Sequence, residues 1–438
     1  MRKPGIYHAA VAAYIWSAAA ASQTIDWQSH LSAEGRASIL DYNDASPLSP
    51  TGYSRTARTA TDLDMLFTSQ LFFKDRLQGF IDVATGWQRE NHTERQQTRL
   101  LEGGITLMNT EQTQRLTAGK MAVRWSQDSV YHPVDFFGRY TQPKSTLGVK
   151  RMDNFQREGA PMIRWQGTGD SGAYDVIWAQ SEEHQETSDA QQAAIRGLWQ
   201  VNDIESSLIA EKTTGMRPRW GATLSQGIGE QWTLYGEYLV SRNREIPQLT
   251  LANPTIPLGE AEELPALYRY QQDPHQRNWQ KLLLTLRYAL QEGGSLEGSI
   301  YYNGHGLNRQ QWNQWVDVQH SAAQTLTNPR LQPWLRYGNP WIGTLGRSAQ
   351  LMQDYYLRRY YASMRFDSID RFTHGGVEVN IIYGLEDNSV SLWTEGRYPL
   401  NARTTAKPFL LLQTTAQGEG AISPVSTVVG INISYSFF

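Results

Sequence analysis

The sequence predicts an all-β chain: a transmembrane antiparallel β-barrel of about eighteen strands, sixteen being the alternative count, with short periplasmic turns and long extracellular loops. Three observations predict it. The chain ends in TVVGINISYSFF, where Val429, Ile431, Ile433, Tyr435 and Phe437 share one face and Gly430, Asn432, Ser434 and Ser436 share the other. Period-two alternation ending in aromatics suits a closing strand, apolar toward lipid and polar toward a lumen. Such a strand must pair with the first one, because an open sheet edge in hydrocarbon leaves peptide groups unsatisfied. Composition is the second observation. The chain has 438 residues with 22 Tyr and 15 Trp, yet its mean hydropathy is −0.53. That is too polar for a bundle of membrane helices, whereas lumen residues and loops dilute the lipid face of a barrel. The third observation is the pattern of connections, taken up below.

In chain order, Arg2 and Lys3 form a basic start, Ile6 to Ala18 an apolar core and Ala19-Ala20-Ala21 a small-residue cleavage site before Ser22. Residues 1–21 therefore read as a secretory signal peptide, too short for a membrane anchor of roughly 20 apolar residues. Residues 22–438 form a single barrel domain. The absence of Cys excludes disulfides, thiolate metal sites and a lipid-anchored cysteine. The mature chain, more acidic than the −3 of the whole sequence, gives no case for nucleic acid.

Alternating segments fall at 30–41, 61–73, 76–90, 96–109, 112–125, 159–168, 172–183, 190–201, 204–213, 217–228, 231–243, 278–290, 294–303, 353–366, 370–383, 388–398, 402–414 and 425–437. Short links follow even-numbered segments: Lys74-Asp75, Thr110-Glu111, Asn202-Asp203, Gly229-Glu230, Asp367 to Ile369 and the Pro399 region. Every long link follows an odd-numbered one: 42–60, 126–158, 244–277, 304–352 and 415–424. A soluble sandwich has no such parity, whereas an outer-membrane barrel requires it. Trp87, Trp165, Trp178, Trp199, Trp220 and Trp232 lie on the apolar faces, as aromatic girdles do.

The opposite faces carry charge. The basic members are Lys120, Arg124, Arg164, Arg196, Arg219, Lys281, Arg287, Arg359, Arg365 and Arg397; the acidic ones are Asp82, Glu102, Asp175, Glu205, Glu211, Glu237, Glu297, Glu378 and Glu395. Charge facing lipid costs a few kcal/mol per residue, so these side chains are expected inside. Strand direction puts Lys120, Arg124, Arg219 and Lys281 toward the outer end, Arg164 and Arg359 just below, and Asp175 and Glu297 deeper. Two readings stay open: a ladder of ion pairs that stiffens the wall, or a path with a basic upper vestibule. The long link 126–158 mixes aromatics with Arg139, Lys144, Lys150, Arg151 and Arg157. In 304–352, Trp312, Trp315, Val316 and Gln319 share one face of a short helix over Asn308 to Ala323. That helix either enters or caps the pore, or packs on the surface.

The strings GKMAVRWSQDSVYHPVDFF and REGAPMIRW, between Gly119 and Trp165, and YYNGHGL at 301–307 resemble those of a class of Gram-negative outer-membrane barrels and of the wider alginate-export barrel group. The resemblance implies an 18-stranded monomeric channel with an arginine-bearing lumen that exports or passes a polar or anionic substrate. The near-balance of acids and bases departs from a strongly basic exporter.

Catalytic strings are weak. His132-Pro133-Val134-Asp135 lacks a third ligand. Gly169-Asp170-Ser171-Gly172 has no partnered His and Asp, and His305 between two glycines reads as a bend. No catalytic residue, metal or cofactor is expected. Function is therefore expected to be an outer-membrane channel for a polar, charged solute or polymer. A structural or receptor-type barrel with a sealed, ion-paired lumen is the alternative, and an outer-membrane hydrolase the lesser one. About eight residues separate cleavage from the first strand, too few for the plug domain of an energised importer. Expected partners are the bilayer with its lipopolysaccharide, the barrel-assembly machinery and an inner-membrane or periplasmic export system.

Overall fold

The computed structural model describes residues 25–48, 59–73, 76–90, 93–137, 139–140, 157–180, 190–242, 244–252, 267–271, 277–291, 293–328, 340–372, 375–414 and 418–437. The signal segment 1–21 and Lys144, Lys150 and Arg151 lie outside them.

Eighteen strands form one sheet: β1 Ile25–Tyr42, β2 Thr59–Phe73, β3 Leu77–Glu90, β4 Thr93–Met108, β5 Gln114–Met121, β6 Ala160–Gly169, β7 Gly172–Gln180, β8 Gln191–Val201, β9 Ile204–Thr213, β10 Arg219–Ile228, β11 Trp232–Ser241, β12 Trp279–Ala289, β13 Ser295–Asn303, β14 Tyr360–Phe372, β15 Gly375–Gly384, β16 Val390–Asn401, β17 Thr404–Gln413 and β18 Val425–Ser436. Each pairs antiparallel with its neighbours in sequence. The sheet closes where β1 meets β18, from Ser32 opposite Ser436 to Tyr42 opposite Val425. No edge remains, which is the condition for strands to cross hydrocarbon.

Period-two alternation fixes the two faces. Ile39, Leu208 and Ile300 are 63%, 59% and 59% exposed, an apolar exterior that only lipid accommodates. Trp178 and Trp220 stand exposed near the long-loop end of their strands, and Trp165, Trp199 and Trp232 toward the short-turn end, where amphipathic rings sit at the two interfaces. The chain is an outer-membrane protein by this fold.

Helices α1 Arg309–Thr327, α2 Pro340–Asp354 and α3 Gly418–Ile422 belong to the long-loop end. α1 extends the expected helix: Trp312, Trp315 and Gln319 are buried, Val316 only partly. α1 and α2 pack with Leu48, Ile246 and Ile422 from three other loops into one apolar cluster. Several boundaries differ from expectation, β1 opening at Ile25 instead of residue 30 and β15 at Gly375 instead of residue 370. The segment begun at 353 starts as the end of α2, and β14 opens only at Tyr360. The turn expected at Asp367 to Ile369 is strand, since β14 runs on to Phe372. β5 stops at Met121 instead of Trp125.

Candidate functional site

The early end of β5 builds the site. Gly119 has φ +151°, and a Cβ there would stand 2.2 Å from the Gly103 carbonyl oxygen and 2.5 Å from Gly104 Cα. Only glycine permits that approach. Past this point the chain leaves the wall and enters the lumen.

Residues 122–137 then cross the barrel. Ala122 N–H donates to Glu102 of β4 at 2.6 Å, and Trp125 Nε1 donates to Asp175 of β7 at 3.1 Å. Ser126 Oγ donates to Glu237 of β11, while Gln127 N–H donates to the Tyr235 hydroxyl at 3.1 Å. The hydroxyls of Thr285 on β12 and Ser299 on β13 donate to Asp128 Oδ2 at 2.6 and 2.7 Å. Ser129 N–H donates to Glu297 of β13 at 3.2 Å, and Arg365 of β14 donates to Ser129 Oγ at 2.8 Å. In the ring of eighteen strands, β14 is diametrically opposite β5. The segment therefore spans the lumen from wall to wall.

Asp128, with no exposure, is its hub. Its Oδ1 also accepts the Val130 and Tyr131 N–H groups, both at 2.7 Å, which turns the chain back. A carboxylate suits this place because both oxygens accept. On the return, Tyr131 stacks on Tyr301 with centroids 4.6 Å apart and lies 4.9 Å from Tyr356. Phe136 and Phe137 meet Trp125 edge-on, and Val123 bridges Phe137. Asp135 Oδ1 accepts the Ser126 N–H at 2.8 Å, so His132-Pro133-Val134-Asp135 is a structural turn. Gly169 to Gly172 is the tight link from β6 to β7.

The lumen charges are largely tied to one another. Arg164 pairs with Asp175 at 2.5 Å, Arg219 with Glu211 at 2.5 Å and Arg287 with Glu297 at 2.5 Å. Arg365 and Arg397 share Glu378, at 3.2 and 2.6 Å, and both reach Asp367. Register puts Asp175 opposite Gln166, two residues nearer the short turn than Arg164, so that pair is diagonal. Glu297 stands directly opposite Arg287 near the short-turn end, and Glu211 directly opposite Arg219.

Other residues depart from the expected wall positions. Register puts Lys120 on the side of Leu116 and Ala118 rather than of Thr117, and its ammonium pairs with Glu158 at 2.5 Å, which takes it off the lumen wall. Arg124 belongs to the crossing segment and donates to the Ser126 and Asp128 carbonyls. Arg359 precedes β14; its Nε donates to the Gly306 carbonyl at 3.4 Å. Lys281 pairs with Glu245 of a loop at 2.5 Å. Arg196 remains on the lumen face beside Asp175 in register, and its Nε has no hydrogen-bond partner among the described residues. Glu237 accepts from both Ser126 and Tyr235.

Sequence reasoning put Asp82 and Glu102 on the lumen face but missed Glu34 and Asp64, which complete an acidic wall with them. On β1 to β4, Glu34 stands directly opposite Asp64, and Asp82 directly opposite Glu102. Like charges in such positions destabilise a sheet. Arg36 stands opposite Asp62, and Lys407 reaches Glu34 at 3.2 Å. The signal was available as inward-facing carboxylates on four successive strands.

No protein-family profile matches the chain, and no curated protein matches it either. Among solved structures, Pseudomonas aeruginosa OccK5 (OpdH) superposes with a TM-score of 0.50 at 8% identity, over 94% of this chain and 98% of that one. OccK11 (OpdR) of the same organism gives 0.50 at 8% identity, over 94% and 96%. Pseudomonas aeruginosa OprD gives 0.49 at 10% identity, over 96% and 98%. The first two likenesses are of fold: this chain and those proteins share the closed barrel.

Proposed function

We propose that the protein is an outer-membrane channel for small polar solutes carrying charge of both signs. The observation that carries the reading is the segment 122–137. It is anchored on β4 and on β7 to β14, and so narrows the lumen toward β15–β18 and β1–β4. Along that side, the carboxylates Asp64, Asp82 and Glu102 stand on one flank, and Arg365 and Arg397 on the other, several strands away around the ring. A narrow path between low-dielectric walls focuses such a field. At an effective dielectric of about 20, unit charges 4 Å apart interact by about 4 kcal/mol, enough to orient a zwitterion on its way through.

An anionic polymer is less well supported, since Arg164, Arg219, Arg287, Arg365 and Arg397 already hold carboxylates. Planar-bilayer recording of the purified barrel tests the reading. Stable unitary conductance is expected. D64N/D82N/E102Q should move the reversal potential under a salt gradient toward anions, and R365Q/R397Q toward cations. A folded barrel without unitary steps would instead favour the sealed, ion-paired alternative.

A further inference from the structure

On the outside of the barrel, at the long-loop end of β9, β10 and β11, lies an open groove of about 580 Å³ lined by Lys212, Arg217, Pro218, Trp220, Val240, Ser241, Arg242 and Asn278. Its chemistry is graded along the strands. Trp220 and Val240 are directly opposite each other, and Trp220 is 58% exposed, so the part nearer the membrane centre is apolar. Lys212 lies two residues further along β9 than Ala210, the partner of Trp220. Arg217 follows in the link to β10, and Arg242 stands just past the end of β11. All three cations are exposed and lie on the water side of the apolar pair. No carboxylate is among the described residues that line the groove. The opposite rim of the same strands has the reverse sign, with Asp203 and Glu230 in the short turns.

We propose that this groove seats a phosphorylated glycolipid of the outer leaflet, with an acyl chain along Trp220 and Val240 and its phosphates against Lys212, Arg217 and Arg242. The order of the groove, apolar and then cationic toward the surface, is the order of acyl chain and phosphate in such a lipid. An amphipathic indole sits where the two regions meet. Lys212 is held in place by donating to the Met216 carbonyl, so one cation is ordered before the lipid arrives. Polar contacts at this depth act in a medium of lower dielectric than water, which strengthens attraction to phosphate. A rim whose cations are merely solvated does not need the graded order.

The test uses the full-length barrel in detergent and native mass spectrometry with three probes: bisphosphorylated lipid A, enzymatically dephosphorylated lipid A, and phosphatidylglycerol. Preferential retention of one bisphosphorylated lipid A per barrel is expected. K212Q/R217Q/R242Q should weaken it about tenfold or more, the sum of a few modest charge contacts. Heat-modifiable migration on gels verifies that the variant is folded, and the dephosphorylated probe tests the phosphate requirement with no variant at all. Equal retention of phosphorylated and dephosphorylated lipid A overturns the proposal, as does unchanged retention by the folded triple variant. Phosphatidylglycerol bound as tightly as lipid A overturns the assignment to an outer-leaflet glycolipid.

Discussion

Asp128 accepts four hydrogen bonds in full burial, two from backbone N–H groups and two from hydroxyls on different strands. D128A leaves those donors without an acceptor, although Thr285 could then turn its hydroxyl to Ser299 Oγ, 3.1 Å away. The expected cost is about 2–4 kcal/mol, read as a lower melting temperature, together with a larger and noisier single-channel conductance as the segment loosens. D128N keeps one acceptor oxygen and should fall between. Arg164 behaves differently because its partner Asp175 is nearly buried. R164Q should lower stability by about 2 kcal/mol, less than for a fully buried pair since Arg164 is 21% exposed, with little change in reversal potential. In the loops, His305 accepts the Glu245 N–H at Nδ1, and burial pushes its pKa down to about 3. Burial opposes ionisation of Glu245 too, but the Lys281 ammonium prevails and holds that carboxyl at about 2. Both shifts act in one direction. The unfolded loop binds more protons than the folded one, below about pH 6.5 for the histidine and below about 4.5 for the glutamate. Stability is therefore complete at neutral pH and declines on acidification, by about 2 kcal/mol at pH 5 from His305 alone. Protection factors of residues 244–248 and 304–307, corrected for the intrinsic exchange rate at each pH, should fall at pH 5 relative to pH 7, and H305Q should flatten that dependence.

The strands were legible because alternation and link parity are direct consequences of a wall with lipid on one side. Strand β9 falls at its predicted bounds, and the others mostly within a few residues. The departure of β5 into the lumen was hidden, since Ala122 to Trp125 continue the alternation that precedes them. One signal was present: Trp125, Val130, Tyr131, Val134, Phe136 and Phe137 make a link too apolar to stand in water, and they are all buried. α2 was missed for a related reason. Its buried Trp341, Leu345, Ser348, Leu351 and Met352 repeat at helical spacing, but within a long link already assigned to loop. The pairing of the lumen charges was not legible, because the register that sets Glu297 opposite Arg287 and Asp175 diagonal to Arg164 does not show in one strand at a time. α1 offers a test at this scale. Asn308 caps its start and Gln311 returns the bond, so N308A should cost about 1 kcal/mol and reduce exchange protection in the first turn. Arg358 lies over the Trp312 ring at 5.1 Å, so W312A should open the helical cap to protease while the barrel stays heat-modifiable.

The whole molecule is a closed wall around a filled half-lumen. Its seam is held to the last turn of the chain: Phe437 N–H donates to the Leu31 carbonyl at 2.9 Å, and its ring meets Tyr435 edge-on. Deleting Phe437 and Phe438 should therefore impair assembly, read as loss of the fast-migrating form on unheated gels. The anchors of the crossing segment bear on the order of that assembly. With β5, from which the segment departs, and β6, whose Ala160 and Met162 pack against it, they make a contiguous arc from β4 to β14, whereas the seam joins β18 to β1. A sheet not yet closed can thus already have curled around the segment, and nothing has to be threaded through a finished ring. Closure is then the final step of a chain whose interior is already settled. In a seam-defective variant, residues 122–137 should still resist protease while the first and last strands are cut.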